Sequence, residues 1–131
     1  MHKLILFVFA LLISILGVNA QTRTNGVLNT MLFSEIIHDY GTIIQGSDGK
    51  CEFKFVNKGK TPLVLSTVTS SCGCTVPIWP KEPIQPGKSG IIKVKYDTNR
   101  MGTFNKSITV ISNASNSTVI LQIKGNVIPK K

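Results

Sequence analysis

Acidic residues and histidine are scarce in this sequence. Its 131 residues include only six Asp and Glu and two His, against 15 Lys and Arg, which gives a formal net charge of +9. The acidic residues are scattered, and neither a nucleophile elbow nor a phosphate-binding glycine loop occurs, so hydrolytic, acid–base and nucleotide chemistry have no candidate residues. No motif of a nucleic-acid-binding fold occurs either. We therefore predict a protein that is not an enzyme and does not bind nucleic acid, with its lysines on solvated strand faces.

Long apolar runs are also lacking, except at the beginning. A positive start at Lys3 is followed by the almost wholly apolar segment Leu4–Leu16 and by the small residues of Val18-Asn19-Ala20. This pattern predicts a secretory signal peptide over residues 1–20, because the run is shorter than the ~20 apolar residues that span a bilayer. We expect cleavage before Gln21, export, and no transmembrane segment in the mature chain.

Helical periodicity is absent from the remaining chain, where short runs of alternating apolar and polar residues recur between turn signals. In one run Cys51, Phe53 and Phe55 share a face, and Glu52 and Lys54 take the other. The predicted strands are Met31–Ile37, Cys51–Val56, Pro62–Thr69, Ile92–Asp97, Ser107–Ile111 and Thr118–Lys124. Half-buried strands need a second sheet to cover their apolar faces, so two packed sheets are expected.

Two segments between these runs are predicted to lack regular central strands. His38-Asp39-Tyr40-Gly41 has the composition of a turn, and residues 70–90 contain four prolines that cannot donate to a central ladder. This second segment is expected to be a long connection with at most a short edge strand. We therefore predict an all-β protein: a flexible leader over residues 21–30, then an immunoglobulin-like antiparallel β-sandwich of about seven strands over residues 31–131.

The three cysteines are an odd number, so an exported chain leaves at least one of them unpaired or intermolecular. Cys51 lies on the apolar face of its predicted strand, where free cysteine often serves as a small buried residue. The alternative is a disulfide between Cys51 and either Cys72 or Cys74. A loop of about twenty residues closed in this way would add ~3 kcal/mol of stability in the chain-entropy model.

Cys72 and Cys74 form the one chemically distinctive motif, since only Gly73 separates them and allows a sharp bend. Three interpretations remain open. The pair is a labile disulfide of the kind used in redox exchange, or it ligates Cu or Zn with a further soft donor such as His38, or it is a structural turn. The spacing is not that of thioredoxin-like motifs, and zinc sites show more cysteine or histidine than this.

Several ordered blocks resemble a known bacterial family. The blocks begin with His38-Asp39-Tyr40-Gly41, continue with Phe53-Lys54-Phe55-Val56-Asn57 and Ser70-Ser71-Cys72-Gly73-Cys74-Thr75, and end with Pro83-Ile84 and Pro86-Gly87. They resemble domain of unknown function 1573, from about Phe33 to Val127. The resemblance implies an exported immunoglobulin-like domain of the ASH and major-sperm-protein type, and it implies no established activity. Cys51 is not part of that family's pattern.

Two functions are consistent with these observations. The first is a non-catalytic binding or scaffolding module in the bacterial periplasm or cell envelope, which contacts an envelope protein through a strand edge or a loop. The alternative is a thiol-redox or soft-metal protein that uses Cys72 and Cys74. No cofactor is expected for the first function, and Cu or Zn would serve the second.

Overall fold

The computed structural model describes residues 30–131, and the predicted signal peptide and nearly all of the predicted leader lie outside them. Eight strands occur in this part of the chain: β1 (Met31–Phe33), β2 (Ile37–Ile44), β3 (Lys50–Asn57), β4 (Leu65–Ser70), β5 (Thr75–Ile78), β6 (Ser89–Tyr96), β7 (Gly102–Ser112) and β8 (Thr118–Ile128). Within residues 30–131 no helix is long and apolar enough to cross a membrane.

The strands form two four-stranded sheets. The first sheet has the order β1-β3-β6-β5 and is antiparallel throughout, whereas the second has the order β2-β8-β7-β4. In the second sheet β2 runs parallel to β8, and the other pairs are antiparallel. The prediction of an all-β immunoglobulin-like sandwich is confirmed, with eight strands and one parallel pair. The parallel pair joins elements at opposite ends of the sequence, a non-local contact that the hydrophobic pattern does not encode.

The segment His38-Asp39-Tyr40-Gly41 lies inside β2, so its prediction as a turn was wrong. The pairing of β2 with β8 shifts register between Asp39 and Thr42, which marks a bulge. Gly41 takes a φ of 66° there, and its N–H donates to Asp39 Oδ1 at 2.8 Å. The Asp-x-Gly pattern that favours a turn locally is used here to bend a strand that continues on both sides.

The proline-rich segment agrees with its prediction as a connection with a short edge strand. Its only strand in the described residues is β5, which has four residues and contains Pro77. The strand expected over Pro62–Thr69 begins later, at Leu65. Leu63 instead forms an isolated antiparallel bridge with Ile84, in which both backbone hydrogen bonds are 2.8 Å long.

The core lies between the two sheets and is built from the inward positions of the alternating strands. Phe53, Phe55 and Ile92 come from the first sheet, and Ile108, Leu121 and Ile123 from the second; each is at most 1% exposed. Burying a side chain of this size contributes ~1.5–3 kcal/mol, so these side chains hold the two sheets together.

Asn57, at the end of β3, anchors the loops that follow β3 and β5. Its side chain is 1% exposed. The amide nitrogen Nδ2 donates to the carbonyl oxygens of Thr61 and Ile84 at 2.8 and 2.9 Å, and Oδ1 accepts from the Gly59 N–H at 2.9 Å. Because a buried amide must have partners, this one residue fixes the turn after β3 against the proline-rich connection.

Gly90 is predicted to be intolerant of a side chain. It pairs with Phe55 across β3 and β6, and a Cβ atom at Gly90 would overlap Cζ of the Phe55 ring. We expect Gly90→Ala to lower the free energy of unfolding in urea by ~1–3 kcal/mol through overpacking. The loss of stability caused by Gly90→Ala should be smaller when Phe55 is replaced by Leu, because the ring that the new Cβ atom would overlap is then absent. Gly73→Ala is the matched control, because nothing lies within 4 Å of a Cβ atom there.

Candidate functional site: the Cys-Gly-Cys turn and the sheet edges

The Cys-Gly-Cys motif lies where the chain crosses from one sheet to the other. It follows β4 of the second sheet and leads directly into β5 of the first. The structure pairs the sulfur atoms of Cys72 and Cys74, whose Cα atoms are 5.3 Å apart. Of the predicted motif residues, the two cysteines are thus brought together, with Gly73 at the tip of the turn.

The two sulfurs lie in different surroundings. Cys74 is buried, at 3% exposure, and Cys72 is only partly buried. The Cys74 N–H lies 3.3 Å from Cys72 Sγ, to which it donates, whereas Cys74 Sγ has Thr75 Oγ1 at 3.8 Å. No atom lies within 4 Å of a Cβ atom placed on Gly73. The turn is therefore approachable from solvent at Gly73 and Cys72.

Backbone and hydroxyl contacts hold the turn in place independently of the sulfur pair. Ser70 Oγ donates to the carbonyl oxygens of Cys72 and Thr75. The Asp97 N–H donates to the Cys74 carbonyl at 2.8 Å, and the Ser71 N–H donates to the Ser107 carbonyl at 2.9 Å. Sequence reasoning missed the role of Ser70, although it lies only two residues before Cys72.

An open cleft of about 710 Å³ lies beside the turn. Gly73 and Cys74 line it, and its charged residues are Lys50 and Lys95 together with Asp48 and Asp97. The lysines lie opposite each other on β3 and β6. Two lysines and two aspartates balance in formal charge, so the cleft has no net charge that would favour a thiolate.

His38, the proposed extra metal ligand, is engaged elsewhere. Its ring packs edge-on against Tyr40 with the centroids 4.5 Å apart. Among residues 30–131 no three His, Cys, Asp or Glu side chains are grouped so that they could hold a metal ion. The interpretation of Cys72 and Cys74 as Cu or Zn ligands therefore stays a prediction that lacks a third donor in this segment.

Cys51 is unpaired and 7% exposed, as the buried-residue interpretation requires. Burial raises the pKa of its thiol above the ordinary value of 9.0, and a hydrogen bond with Tyr40 opposes that shift. The Tyr40 hydroxyl donates to the Gly49 carbonyl at 2.6 Å, and burial also raises the pKa of this phenol. Cys51 is thus kept as a neutral thiol inside the sandwich.

The edge strands of the two sheets differ in how well they are covered. At β1, the Met31 backbone N–H donates to Asn116 Oδ1 at 3.1 Å, and Asn116 Nδ2 donates to the Met31 carbonyl at 2.8 Å. The side-chain amide of Asn116 therefore takes the place of a neighbouring strand. Sequence reasoning did not foresee this cap, since it joins residues 85 positions apart.

The edges at β5 and β2 are protected in other ways. The Asp97 N–H bonds to the Cys74 carbonyl, so alternate residues Thr75 and Pro77 direct their backbone groups away from β6. Pro77 has no N–H to offer, and the Thr75 carbonyl is already bonded to Ser70 Oγ. The bulge in β2 interrupts that edge, and bulges are a common protection against strand addition.

The edge of β4 is open beyond a register shift between Leu65 and Thr67. The Ser71 N–H bonds to Ser107 of β7, so the alternate residue Val68 directs its backbone N–H and C=O outward. No strand of residues 30–131 pairs with this side. We call the stretch Leu65–Ser70 the β4 notch, because the Leu63–Ile84 bridge bounds it at one end and the Cys-Gly-Cys turn at the other.

Solved structures of similar fold define the class of this domain. A protein of unknown function from Porphyromonas gingivalis W83 has a TM-score of 0.68 at 21% identity, over 75% of this chain and 46% of that protein. The ASH/PapD-like domain 7 of human CEP192 has a TM-score of 0.66 at 10% identity, over 79% of this chain and 88% of that domain. The fold is that of an immunoglobulin-like sandwich of the ASH/PapD-like type.

A third similar structure is the CsuC–CsuE chaperone–tip adhesion subunit pre-assembly complex of Acinetobacter baumannii. Its TM-score is 0.56 at 12% identity, over 75% of this chain and 57% of that one. This chain spans less than half of the P. gingivalis protein and somewhat more than half of the Acinetobacter one. At these identities the likeness concerns the fold alone.

The sequence places the chain in a family. The family model described as protein of unknown function (DUF1573) matches residues 31–127. The chain belongs to this family, which confirms the resemblance seen in the blocks around the Cys-Gly-Cys motif. No curated protein matches the chain.

The burial of Cys51 predicts a specific loss of stability in alkali. Because its pKa is raised in the folded state, the folded chain keeps the proton at pH values where the unfolded chain releases it. The stability contributed by the neutral thiol is complete below the ordinary pKa of 9.0 and is lost progressively above it. Urea unfolding of the reduced protein at several pH values up to ~10 should show this decline.

Cys51→Val is the control for that measurement. It fills a similar volume without an ionisable group, so its free energy of unfolding should fall less steeply above the thiol pKa than that of the wild type. Parallel profiles for the two proteins would mean that Cys51 does not titrate differently in the folded and unfolded states.

Proposed function

We propose that this domain is a non-catalytic protein-binding module of the bacterial periplasm or cell envelope, which receives an extended segment of a partner protein at the β4 notch. The proposal rests on a difference between the edge strands of the two sheets in how their outward backbone groups are protected. Asn116 caps the edge of β1, Pro77 and Ser70 limit β5, and a bulge interrupts β2. At β4 a register shift lies between Leu65 and Thr67, and the residues from Thr67 to Ser70 then pair regularly with β7 and have no strand on their other side in residues 30–131.

The geometry of the notch suits the addition of a short strand. A strand that pairs with Val68 would gain main-chain hydrogen bonds, which are the source of affinity in such complexes. The exposed side chains beside the edge are small and uncharged, at Ser66 and Thr69. They leave room for a partner backbone to approach, and the Ser66 hydroxyl is turned back to the Ile111 carbonyl, to which it donates at 3.1 Å.

A solved structure of similar fold supports the same function. The Acinetobacter structure of similar fold is a chaperone in complex with a pilus tip subunit. An ASH/PapD-like sandwich is therefore a fold on which protein binding occurs. The location in the envelope rests on the signal peptide predicted over residues 1–20 and on the family resemblance.

Export is directly testable. The full-length chain expressed in a Gram-negative bacterium should appear in the periplasmic or envelope fraction with Gln21 as its first residue, as read by N-terminal sequencing. Replacing Ala20 by a large residue, Ala20→Trp, should leave uncleaved precursor, because the cleavage site requires small residues. Recovery of the wild-type protein uncleaved in the cytoplasm would contradict the assigned location.

The β4 notch predicts where a partner crosslinks. A photo-crosslinking amino acid at Ser66 should give a discrete crosslinked protein in envelope fractions of the native host. Adding Thr69→Lys should reduce that product ~5-fold or more, equivalent to ~1 kcal/mol of binding, because a lysine on an edge strand disfavours pairing.

Thr42→Lys is the matched control for this experiment. It places the same charge at an exposed threonine on β2, the opposite edge of the same sheet, and it should leave the Ser66 crosslink unchanged. Equal loss with both lysine variants would indicate a general charge effect. Absence of any crosslinked protein at Ser66 would count against a partner at β4.

A further inference from the structure

The Cys72–Cys74 pair differs from a structural disulfide in how little of the fold depends on it. A bond across a single intervening residue closes a very short loop, and the chain-entropy model gives short loops the least stabilisation. Non-covalent contacts already hold the turn. Ser70 Oγ bonds to the carbonyls of Cys72 and Thr75, and the Asp97 N–H bonds to the Cys74 carbonyl. The sulfur–sulfur bond can therefore open while the turn stays in place.

The two sulfurs are also inequivalent in a way that suits exchange. Cys72 is the more accessible, with open space beside Gly73, whereas Cys74 is 3% exposed. An attacking thiolate reaches the accessible sulfur, so the buried one becomes the leaving group.

The third cysteine does not interfere with such a reaction. Cys51 is buried within the sandwich on β3, and its hydrogen-bonded neighbour Tyr40 is itself half-buried. A neutral, inaccessible thiol is a poor nucleophile. The reactive sulfur chemistry of residues 30–131 is therefore confined to the Cys-Gly-Cys turn.

We propose that Cys72–Cys74 is a thiol–disulfide exchange site that oxidises dithiols of protein or peptide substrates, with Cys72 as the attacked sulfur. A substrate thiolate attacks Cys72 Sγ and forms a mixed disulfide, and the Cys72–Cys74 bond breaks with its electron pair going to Cys74. The second substrate thiolate then attacks the first substrate sulfur and releases Cys72 as a thiolate. The substrate is oxidised by two electrons, and its two protons pass to Cys72 and Cys74.

The Cys74 N–H has a defined part in this reaction. It donates to Cys72 Sγ at 3.3 Å, and a hydrogen bond from a backbone N–H is stronger to a thiolate than to a neutral sulfur. It therefore stabilises the charge that appears on Cys72 when the mixed disulfide resolves. The exchange is stoichiometric, one disulfide transferred per chain.

The test uses the mature chain, residues 21–131, carrying Cys51→Ala, and a reduced synthetic peptide with two cysteines as the substrate. Intact mass after acid quenching should show the protein gaining two hydrogens as the peptide loses two. Reduction should leave the far-ultraviolet circular dichroism unchanged. A peptide that stays reduced, or a protein that unfolds on reduction, would overturn the proposal.

The order of attack is tested with single-cysteine variants in the same background. With Cys74→Ser the remaining Cys72 should form a mixed disulfide with glutathione disulfide, and with Cys72→Ser the buried Cys74 should react roughly tenfold or more slowly. Should either variant fold poorly, brief alkylation of the reduced Cys51→Ala protein and peptide mapping gives the same comparison. Equal labelling of the two sulfurs would overturn the assignment of Cys72.

The exchange site is separate from the β4 notch, so an experiment can contradict one proposal without contradicting the other. Thr69→Lys changes the edge without touching either sulfur, so it should reduce the Ser66 crosslink ~5-fold or more and leave peptide oxidation at the wild-type rate. Cys72→Ser with Cys74→Ser should do the reverse, because hydrogen bonds from Ser70 and Asp97 still hold the turn.

Discussion

The mutual burial of two apolar sheet faces is the interaction on which the rest of this structure depends. Neither four-stranded sheet has a place for its inward side chains except against the other, and Phe55 and Ile108 meet there with no exposure to solvent. The turns and edge strands outside the core take the positions that this packing of the two sheets leaves to them. The chain must cross between the sheets, and each crossing leaves a turn or an edge whose backbone groups need partners.

The crossing from β4 to β5 combines two features in a small space. The Cys-Gly-Cys turn ends the open edge of the second sheet and begins the short edge strand of the first. Ser70 joins them, since its backbone belongs to the β4 notch and its hydroxyl holds the turn. The proposed binding edge at β4 and the Cys72–Cys74 pair are thus neighbours in the fold.

Much of the fold was predictable from the alternation of residue types, and the failures have clear causes. The inward set Cys51, Phe53 and Phe55 was identified correctly because period-two alternation reports a half-buried strand directly. The strand β2 was missed because His38-Asp39-Tyr40-Gly41 has turn chemistry, and a bulge uses the same chemistry inside a strand. The anchoring role of Asn57 was not predicted, because its three side-chain hydrogen bonds depend on the folded loops around it.

The sequence by itself determined the two-sheet sandwich, the family, the inward position of Cys51 and the bend at Gly73, since all of these follow from local residue order. Only the tertiary structure decided that β2 joins β8 in parallel, that Asn116 caps β1, and that Cys72 is accessible where Cys74 is buried. The physical reason is the same in each case. Strand order, edge capping and sulfur exposure depend on contacts between residues far apart in the chain. A local pattern of residue types does not predict such contacts.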